Sequence, residues 1–168
     1  IINLCKILAK NGDYMLIGFK FSNYKSFKDS VEFSMEPLTK NGAISNAVET
    51  AYRKASWVYS SSAIFGANAS GKSNFIEAIN YFQHLMESSY LKRLNESMEL
   101  PSYKLCDEQE NSKFECEFIK NGIAYRYFIE LNDTEIAKEE AFYTELSEDK
   151  REKCLFKRSL EDFVSPYG

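Results

Sequence analysis

Eight consecutive residues have the types and spacing of a phosphate-binding loop. Residues 66–73, GANASGKS, match the pattern G-x-x-x-x-G-K-[ST] without a mismatch. The two glycines let the backbone wrap closely around phosphates, and the helix that follows such a loop adds partial positive charge at its N-terminus. In this pattern Lys72 reaches the β- and γ-phosphates, while the Ser73 hydroxyl holds Mg²⁺. The predicted nucleotide-binding residues are Gly66, Ala67, Asn68, Ala69, Ser70, Gly71, Lys72 and Ser73.

A loop of this kind needs a strand before it and a helix after it, and the flanking residues predict both. Residues 63–65, AIF, form a short apolar run fit for a buried strand. The helix should begin near Gly71. Four large apolar side chains then recur at i, i+4, i+7 and i+11, which places them on one helix face and predicts that they are mostly buried: Phe75, Ile79, Phe82 and Met86. An ordinary glycine turn before a helix is the alternative interpretation of the motif.

The rest of the chain alternates apolar and polar residues, which is typical of half-buried strands. Residues 15–35 predict an antiparallel pair joined by a polar connection, and residues 37–55 predict mostly loop. From 113 to 159 several alternating runs follow one another, with Asn121-Gly122 as a hairpin signal between two of them. We therefore expect an antiparallel meander after the loop and its helix, where P-loop kinases and small GTPases continue in parallel βα units.

Length and composition limit the class of protein. The 168 residues suit one domain, and 44% hydrophobic content is ample for a packed core. A net charge of −4 gives no indication of a general affinity for nucleic acid, although such a partner is not excluded. No apolar run of the ~18 residues that a membrane span needs is present, and the N-terminus has no signal-peptide pattern. The four cysteines show no C-x-x-C spacing, and because the chain carries no export signal we expect them to be reduced, partly buried thiols in a cytoplasmic protein.

Two blocks together resemble a known family. Residues 15–27, MLIGFKFSNYKSF, and residues 65–74, FGANASGKSN, are similar to the N-terminal part of the prokaryotic AAA-15/AAA-21 ATPases, relatives of the ABC-type heads of SMC, Rad50 and OLD proteins. The resemblance implies an α/β fold, a P-loop NTPase N-terminal lobe of the ABC/SMC-head type with an antiparallel β-sheet packed beside the P-loop strand and helix. It also implies ATP and Mg²⁺ as ligands. Lys25 is implied as a further nucleotide contact, with a solvated loop lysine as the alternative.

The resemblance also implies the activity and the partners of the whole protein. Such heads form homodimers through their ATP sites, hydrolyse ATP only in the dimer, and often work with an effector protein in phage defence or in a DNA-linked process. A nucleotide-sensing module without turnover and, less in keeping with the meander, a P-loop kinase are the alternatives. Guanine specificity has no support, because neither N-K-x-D nor D-x-x-G is present.

The catalytic parts of an ABC-type head are not found in the sequence, so the catalytic residues are left unassigned. A strand of apolar residues ending in Asp-Glu is absent, and residues 127–130, YFIE, are better interpreted as an ordinary strand. Residues 146–149, LSED, lack the glycines of a signature loop, and His84 is expected on the helix surface. We therefore expect residues 15–168 to be an N-terminal lobe that is incomplete at its C-terminus. Because the first residue is Ile1 and Met15 is followed at once by a predicted strand, we expect residues 1–14 to lie upstream of a natural start at Met15.

Overall fold

A computed structural model describes residues 14–38, 46–88, 98–105, 110–147, 151–160 and 162–166, which build a seven-stranded antiparallel sheet with one helix on one face. The sheet order is β2-β1-β5-β6-β7-β8-β9, and β3 pairs with β4 as a separate hairpin. The bounds are β1 Tyr14–Ser22, β2 Val31–Ser34, β3 Ala47–Glu49, β4 Trp57–Tyr59, α1 Lys72–Ser88, β5 Ser112–Lys120, β6 Ile123–Leu131, β7 Ile136–Glu145, β8 Lys153–Ser159 and β9 Phe163–Val164.

The two predicted antiparallel units are confirmed and share one sheet. β1 pairs with β2 on one side and with β5 on the other, so the 15–35 hairpin joins directly to the meander. Asn121 and Gly122 make the predicted turn between β5 and β6. Their φ values of 51° and 74° are the left-handed pair that a two-residue hairpin turn requires.

The core lies between the helix and the three strands β1, β5 and β6. Phe19 of β1 meets Phe82 of α1 with ring centroids 5.5 Å apart, and Phe114 of β5 lies 6.2 Å from the same ring. Phe21 packs on Phe75 at the beginning of the helix at 5.8 Å. These aromatic contacts hold α1, and with it the loop that precedes it, in a fixed position on the sheet.

The strand predicted at residues 63–65 is wrong. No strand pairs with these residues in the described part of the chain; Ala63 is exposed, Ile64 is half-buried and Phe65 is 82% exposed. A strand is stable only when a neighbouring strand takes its backbone hydrogen bonds, and a short apolar run carries no information about that neighbour. The prediction of mostly loop at 37–55 agrees with the described residues, which add only the short strand β3, while residues 39–45 lie outside the described ranges.

The predicted buried face of the helix is right at three positions and wrong at the fourth. Phe75, Ile79 and Phe82 are buried, whereas Met86 is 38% exposed and Leu85 is buried in its place. The buried residues of the helix are Phe75, Ala78, Ile79, Phe82 and Leu85. Met86 lies about 20° from Phe75 around the helix axis, on the same face, so periodicity does not account for its exposure. It stands in the last described turn, where burial depends on which parts of the fold the helix still meets.

Two further predictions concern membrane-spanning segments and the state of the cysteines. None of the described helices is long and apolar enough to cross a membrane. Cys116 is buried and Cys154 is half-buried, and both are free, as predicted; Cys5 and Cys106 lie outside the described residues. Burial raises the pKa of the Cys116 thiol to about 12, so this side chain acts as a small apolar residue of the core.

Candidate nucleotide-binding site

The predicted phosphate-binding residues form a compact turn that leads into α1. The backbone N–H of Ser70 donates to the carbonyl oxygen of Ala67 at 3.3 Å, which closes the turn. The N–H of Phe75 donates to the carbonyl oxygen of Gly71 at 2.9 Å as the helix begins. The side chains of residues 66–70 are exposed, so a ligand can approach this turn from solvent.

The two glycines of the motif differ in how strongly they exclude a side chain. A Cβ atom on Gly71 would lie 2.9 Å from the Phe27 ring, and the φ of Gly71 is 89°, which side chains rarely adopt. A Cβ atom built on Gly66 would lie 2.6 Å from the Ser70 hydroxyl oxygen, which can rotate away. The requirement for glycine is therefore strongest at Gly71, and the residues of the loop fit the nucleotide that the motif predicts.

Lys72 is the first residue of α1, and its side chain folds back over the loop. The ammonium group donates hydrogen bonds to the carbonyl oxygens of Gly66 at 2.8 Å and Ala67 at 2.5 Å. One unit of positive charge is thus fixed above the turn at the helix N-terminus, where the partial charge of the helix has the same sign. This arrangement favours an anion with several charged oxygens, such as a polyphosphate.

Ser73 lies in the first turn of α1 and is exposed, so its hydroxyl is open to a bound cation. Within the described ranges, no group of three or more His, Cys, Asp or Glu residues is arranged to hold a metal ion. Mg²⁺ commonly takes one or two protein ligands together with nucleotide phosphates and water. The Ser73 hydroxyl fits that mode of binding, and it remains the one predicted metal ligand.

Residues 24–27 form a tight turn, called here the 24–27 turn, which lies against the loop and the helix. The N–H of Tyr24 donates to the Phe27 carbonyl at 2.8 Å, and the N–H of Phe27 donates back to the Tyr24 carbonyl at 2.9 Å. The Asn74 side-chain amide donates to the Ser26 hydroxyl at 2.7 Å. Sequence reasoning singled out this segment by resemblance but did not predict that it touches the phosphate-binding motif.

Lys25 lies in this turn and faces the helix. Its ammonium group forms an ion pair with the carboxylate of Glu77 in the second turn of α1, and its side chain is 31% exposed. Its backbone N–H donates to the Pro101 carbonyl at 2.7 Å. The structure thus brings Lys25 to the same end of the helix as the phosphate-binding loop. A direct contact between Lys25 and nucleotide stays a prediction.

Asn23, the residue before this turn, ties it to the rest of the sheet. Its amide nitrogen donates to the Glu110 carbonyl at 2.6 Å, and its amide oxygen accepts the N–H of Tyr103 at 3.2 Å. The residue is 7% exposed and its φ is 53°, a conformation that asparagine tolerates better than most residues. Both partners are more than 75 positions away in sequence, so no local signal could reveal this role.

Tyr24 connects the turn to the helix backbone. Its hydroxyl donates to the Glu77 carbonyl oxygen at 3.2 Å. Burial raises the pKa of Tyr24 to about 12, so the hydroxyl keeps its proton at neutral pH and remains a hydrogen-bond donor.

Glu130 and His84 have the ordinary structural roles that the sequence predicted for them. Glu130 is inside β6, the central strand of the seven-stranded sheet, where it accepts a hydrogen bond from the Asn111 amide at 3.1 Å and pairs with the Lys113 ammonium at 3.8 Å. His84 is exposed on α1. Neither is placed as a catalytic group, and the catalytic residues remain unassigned.

Comparison with known proteins agrees with the site. A family model described as "AAA domain, putative AbiEii toxin, Type IV TA system" matches residues 61–163, which is more than half of the chain and includes the whole phosphate-binding loop, α1 and the meander. No match was found among curated proteins. The chain belongs to the AAA-21 family of AAA domains, as its two sequence blocks indicated.

Proposed function

We propose that this chain is the ATP·Mg²⁺-binding lobe of an ABC-type P-loop ATPase. Membership of an AAA-domain family supports nucleotide binding by a P-loop protein. The observation that carries the proposal is the position of Lys72, whose ammonium group bridges the Gly66 and Ala67 carbonyls over the turn that leads through Gly71 into the helix.

Each group of the site has a role in this proposal. The backbone N–H groups of residues 67–73 hold the phosphates, and Lys72 neutralises the charge of the β- and γ-phosphate oxygens. Ser73 holds Mg²⁺, which when bound neutralises phosphate charge and orients the phosphate chain. ATP is proposed over GTP because the chain carries neither of the guanine-binding patterns.

Three features of the whole protein also belong to the proposal. Hydrolysis takes place when two heads join, because each head supplies groups that complete the other's site. An effector protein uses the resulting change of shape in phage defence or in a DNA-linked process. The protein works in the cytoplasm. Resemblance to ABC-type heads supports the first two features, and the free thiols of Cys116 and Cys154 support the third.

A nucleotide-sensing module without turnover is the second candidate. One observation favours it: Glu130 is engaged as an ordinary strand residue, where it pairs with Asn111 and Lys113. In this candidate ATP binding alone drives assembly. The two candidates share the same binding site and differ only in whether phosphate is released.

Titration with a fluorescent ATP analogue and Mg²⁺ tests the binding site. Lys72→Ala removes the charge over the turn and should weaken binding by about tenfold or more, which is at least ~1.4 kcal/mol. Lys157→Ala, which removes a partly exposed lysine on β8, is the matched control for the change of net charge and should bind like the unmodified chain. Equal affinities for all three proteins would contradict the proposed site.

A further inference from the structure

We propose that Phe27 is a positioning residue for the phosphate-binding loop, which it holds in shape by packing against Gly71. This inference rests on the proposed function, because it names what keeps that same site in a binding conformation. Phe27 is not expected to touch the nucleotide. Its ring occupies the space next to Gly71 that a side chain at that position would take.

The contact between the two residues is close and depends on the missing side chain. The Phe27 Cζ atom lies 2.9 Å from the position of a Cβ atom on Gly71, and two further ring carbons lie at 3.5 Å. Gly71 precedes Lys72 and has a φ of 89°. A glycine in this conformation has many alternatives, so the ring that packs against it selects one of them.

Phe27 can act as a support because its own ring is fixed from behind. The ring meets Phe21 edge to face, with centroids 5.2 Å apart and planes at 88°. Phe21 of β1 is 1% exposed in the core, and the backbone of Phe27 is held by the paired hydrogen bonds with Tyr24. Phe21 in the sheet, Phe27 in the 24–27 turn and Gly71 in the loop therefore pack one against the next.

The other residues of the 24–27 turn attach to the helix that continues the loop. Ser26 accepts a hydrogen bond from Asn74, and the Lys25 ammonium pairs with the Glu77 carboxylate. Tyr24 donates to the Glu77 backbone carbonyl. Four successive residues of the turn thus contact the segment from Gly71 to Glu77, and Phe27 is the one at the phosphate-binding end.

The contact with Phe27 should preorganise the phosphate-binding loop for its ligand. A binding site whose groups are held in place loses less entropy when the ligand binds, so affinity falls when the support is removed even though no ligand contact is lost. Loss of the Phe27 ring should therefore weaken ATP binding through Gly71 and the neighbouring backbone N–H groups.

The test compares Phe27→Ala with Phe33→Ala by calorimetric titration with ATP·Mg²⁺ and by thermal unfolding without nucleotide. Phe33 is the matched control, because this half-buried ring of β2 also packs against the helix, 5.5 Å from Phe75, while the three atoms nearest to a Cβ on Gly71 all belong to Phe27. Both variants should unfold at lower temperature. Only Phe27→Ala should weaken ATP binding, by about tenfold. Phe27→Leu, which keeps most of the apolar bulk, should restore much of the affinity.

Hydrogen exchange in the nucleotide-free proteins provides a second measurement. The backbone N–H groups of residues 70–73 should exchange faster in Phe27→Ala than in Phe33→Ala, because only the first loses the support at Gly71. If Phe27→Ala does not fold, Phe27→Leu is measured in its place and should show a smaller effect in the same direction.

The possible results separate the two proposals. If the unmodified chain binds ATP and both alanine variants bind equally well and exchange alike, the role of Phe27 is overturned while the proposed function stands. If the unmodified chain does not bind ATP, the proposed function itself fails and the role of Phe27 fails with it.

Discussion

At the scale of single residues, Gly71 meets two demands at once. Its φ of 89° disfavours any side chain, and the Phe27 ring leaves no room for one. Gly122 in the β5–β6 turn shares only the first demand, since its φ is 74° and nothing lies within 4 Å of a Cβ atom built there. Gly122 therefore shows the effect of a strained backbone alone, and Gly71 shows the effect of a strained backbone together with a steric clash.

We expect Gly71→Ala to destabilise the protein more than Gly122→Ala. The conformational cost of alanine at Gly122 is roughly 1–2 kcal/mol. At Gly71 the same cost is joined by overpacking against the ring, typically about 1–3 kcal/mol more. Urea unfolding of both variants measures the difference. Equal losses would mean that the ring moves aside freely and does not support the loop.

The chemistry of the loop could be predicted from sequence, whereas its surroundings could not. Gly66, Lys72 and Ser73 are recognisable because a phosphate cradle needs those residue types at a fixed local spacing. The use of Asn23 could not be predicted, because its partners Tyr103 and Glu110 are distant in the chain and bond to it through their backbones. Only the tertiary fold brings them together.

At the scale of elements, α1 positions the phosphate-binding loop. The packing of α1 on the sheet decides how firmly that loop is held. Phe75 and Phe82 attach the helix to strands β1, β5 and β6 through aromatic contacts. In the last described turns Leu85 is 3% exposed, while Met86 is 38% exposed. The two neighbours therefore have opposite structural roles, although both are large and apolar.

Leu85→Ala should cost about 2–5 kcal/mol of unfolding free energy, the usual range for truncating a buried leucine. Met86→Ala should cost well under half of that, because its side chain already meets solvent. Chemical denaturation of both variants checks this order. A larger loss for Met86→Ala would restore the simple i+11 stripe that the sequence indicated.

The elements differ in how far sequence predicts them. The hairpins around Asn121 were predictable because period-two alternation and a two-residue turn are local signals. The strand expected at residues 63–65 was not, because a strand exists only through its neighbour and no described strand lies beside it. The helix face was predicted correctly for Phe75, Ile79 and Phe82, whereas periodicity alone could not show that Met86, on the same face, meets solvent in the last described turn.

At the scale of the whole molecule, one face of the antiparallel sheet supports the helix, and the phosphate-binding loop stands exposed at the beginning of that helix. Binding and hydrolysis place different demands on this arrangement. Binding needs the loop, Lys72 and Ser73, all of which are present. Hydrolysis also needs groups that position water and neutralise developing charge.

We expect the 168-residue chain alone to hydrolyse ATP barely, if at all. Its described residues place Glu130 in a structural role and hold no acidic metal cluster. A phosphate-release assay on the purified chain measures this, with Lys72→Ala as the background control. Turnover near 1 s⁻¹, the low end of ordinary enzymes, that disappears in Lys72→Ala would contradict the expectation and make Glu130 the first residue to substitute.

The most direct measurement of the central claim is hydrogen exchange of the backbone N–H groups of residues 66–73 with and without ATP·Mg²⁺. A phosphate chain held by this loop must slow exchange there, since the loop N–H groups become hydrogen-bond donors to the ligand. We predict protection of this segment by ATP·Mg²⁺ in the unmodified chain, little protection in Lys72→Ala, and no change in the β8 segment of either protein. Exchange in residues 66–73 that is unaffected at saturating ATP·Mg²⁺ would contradict the account.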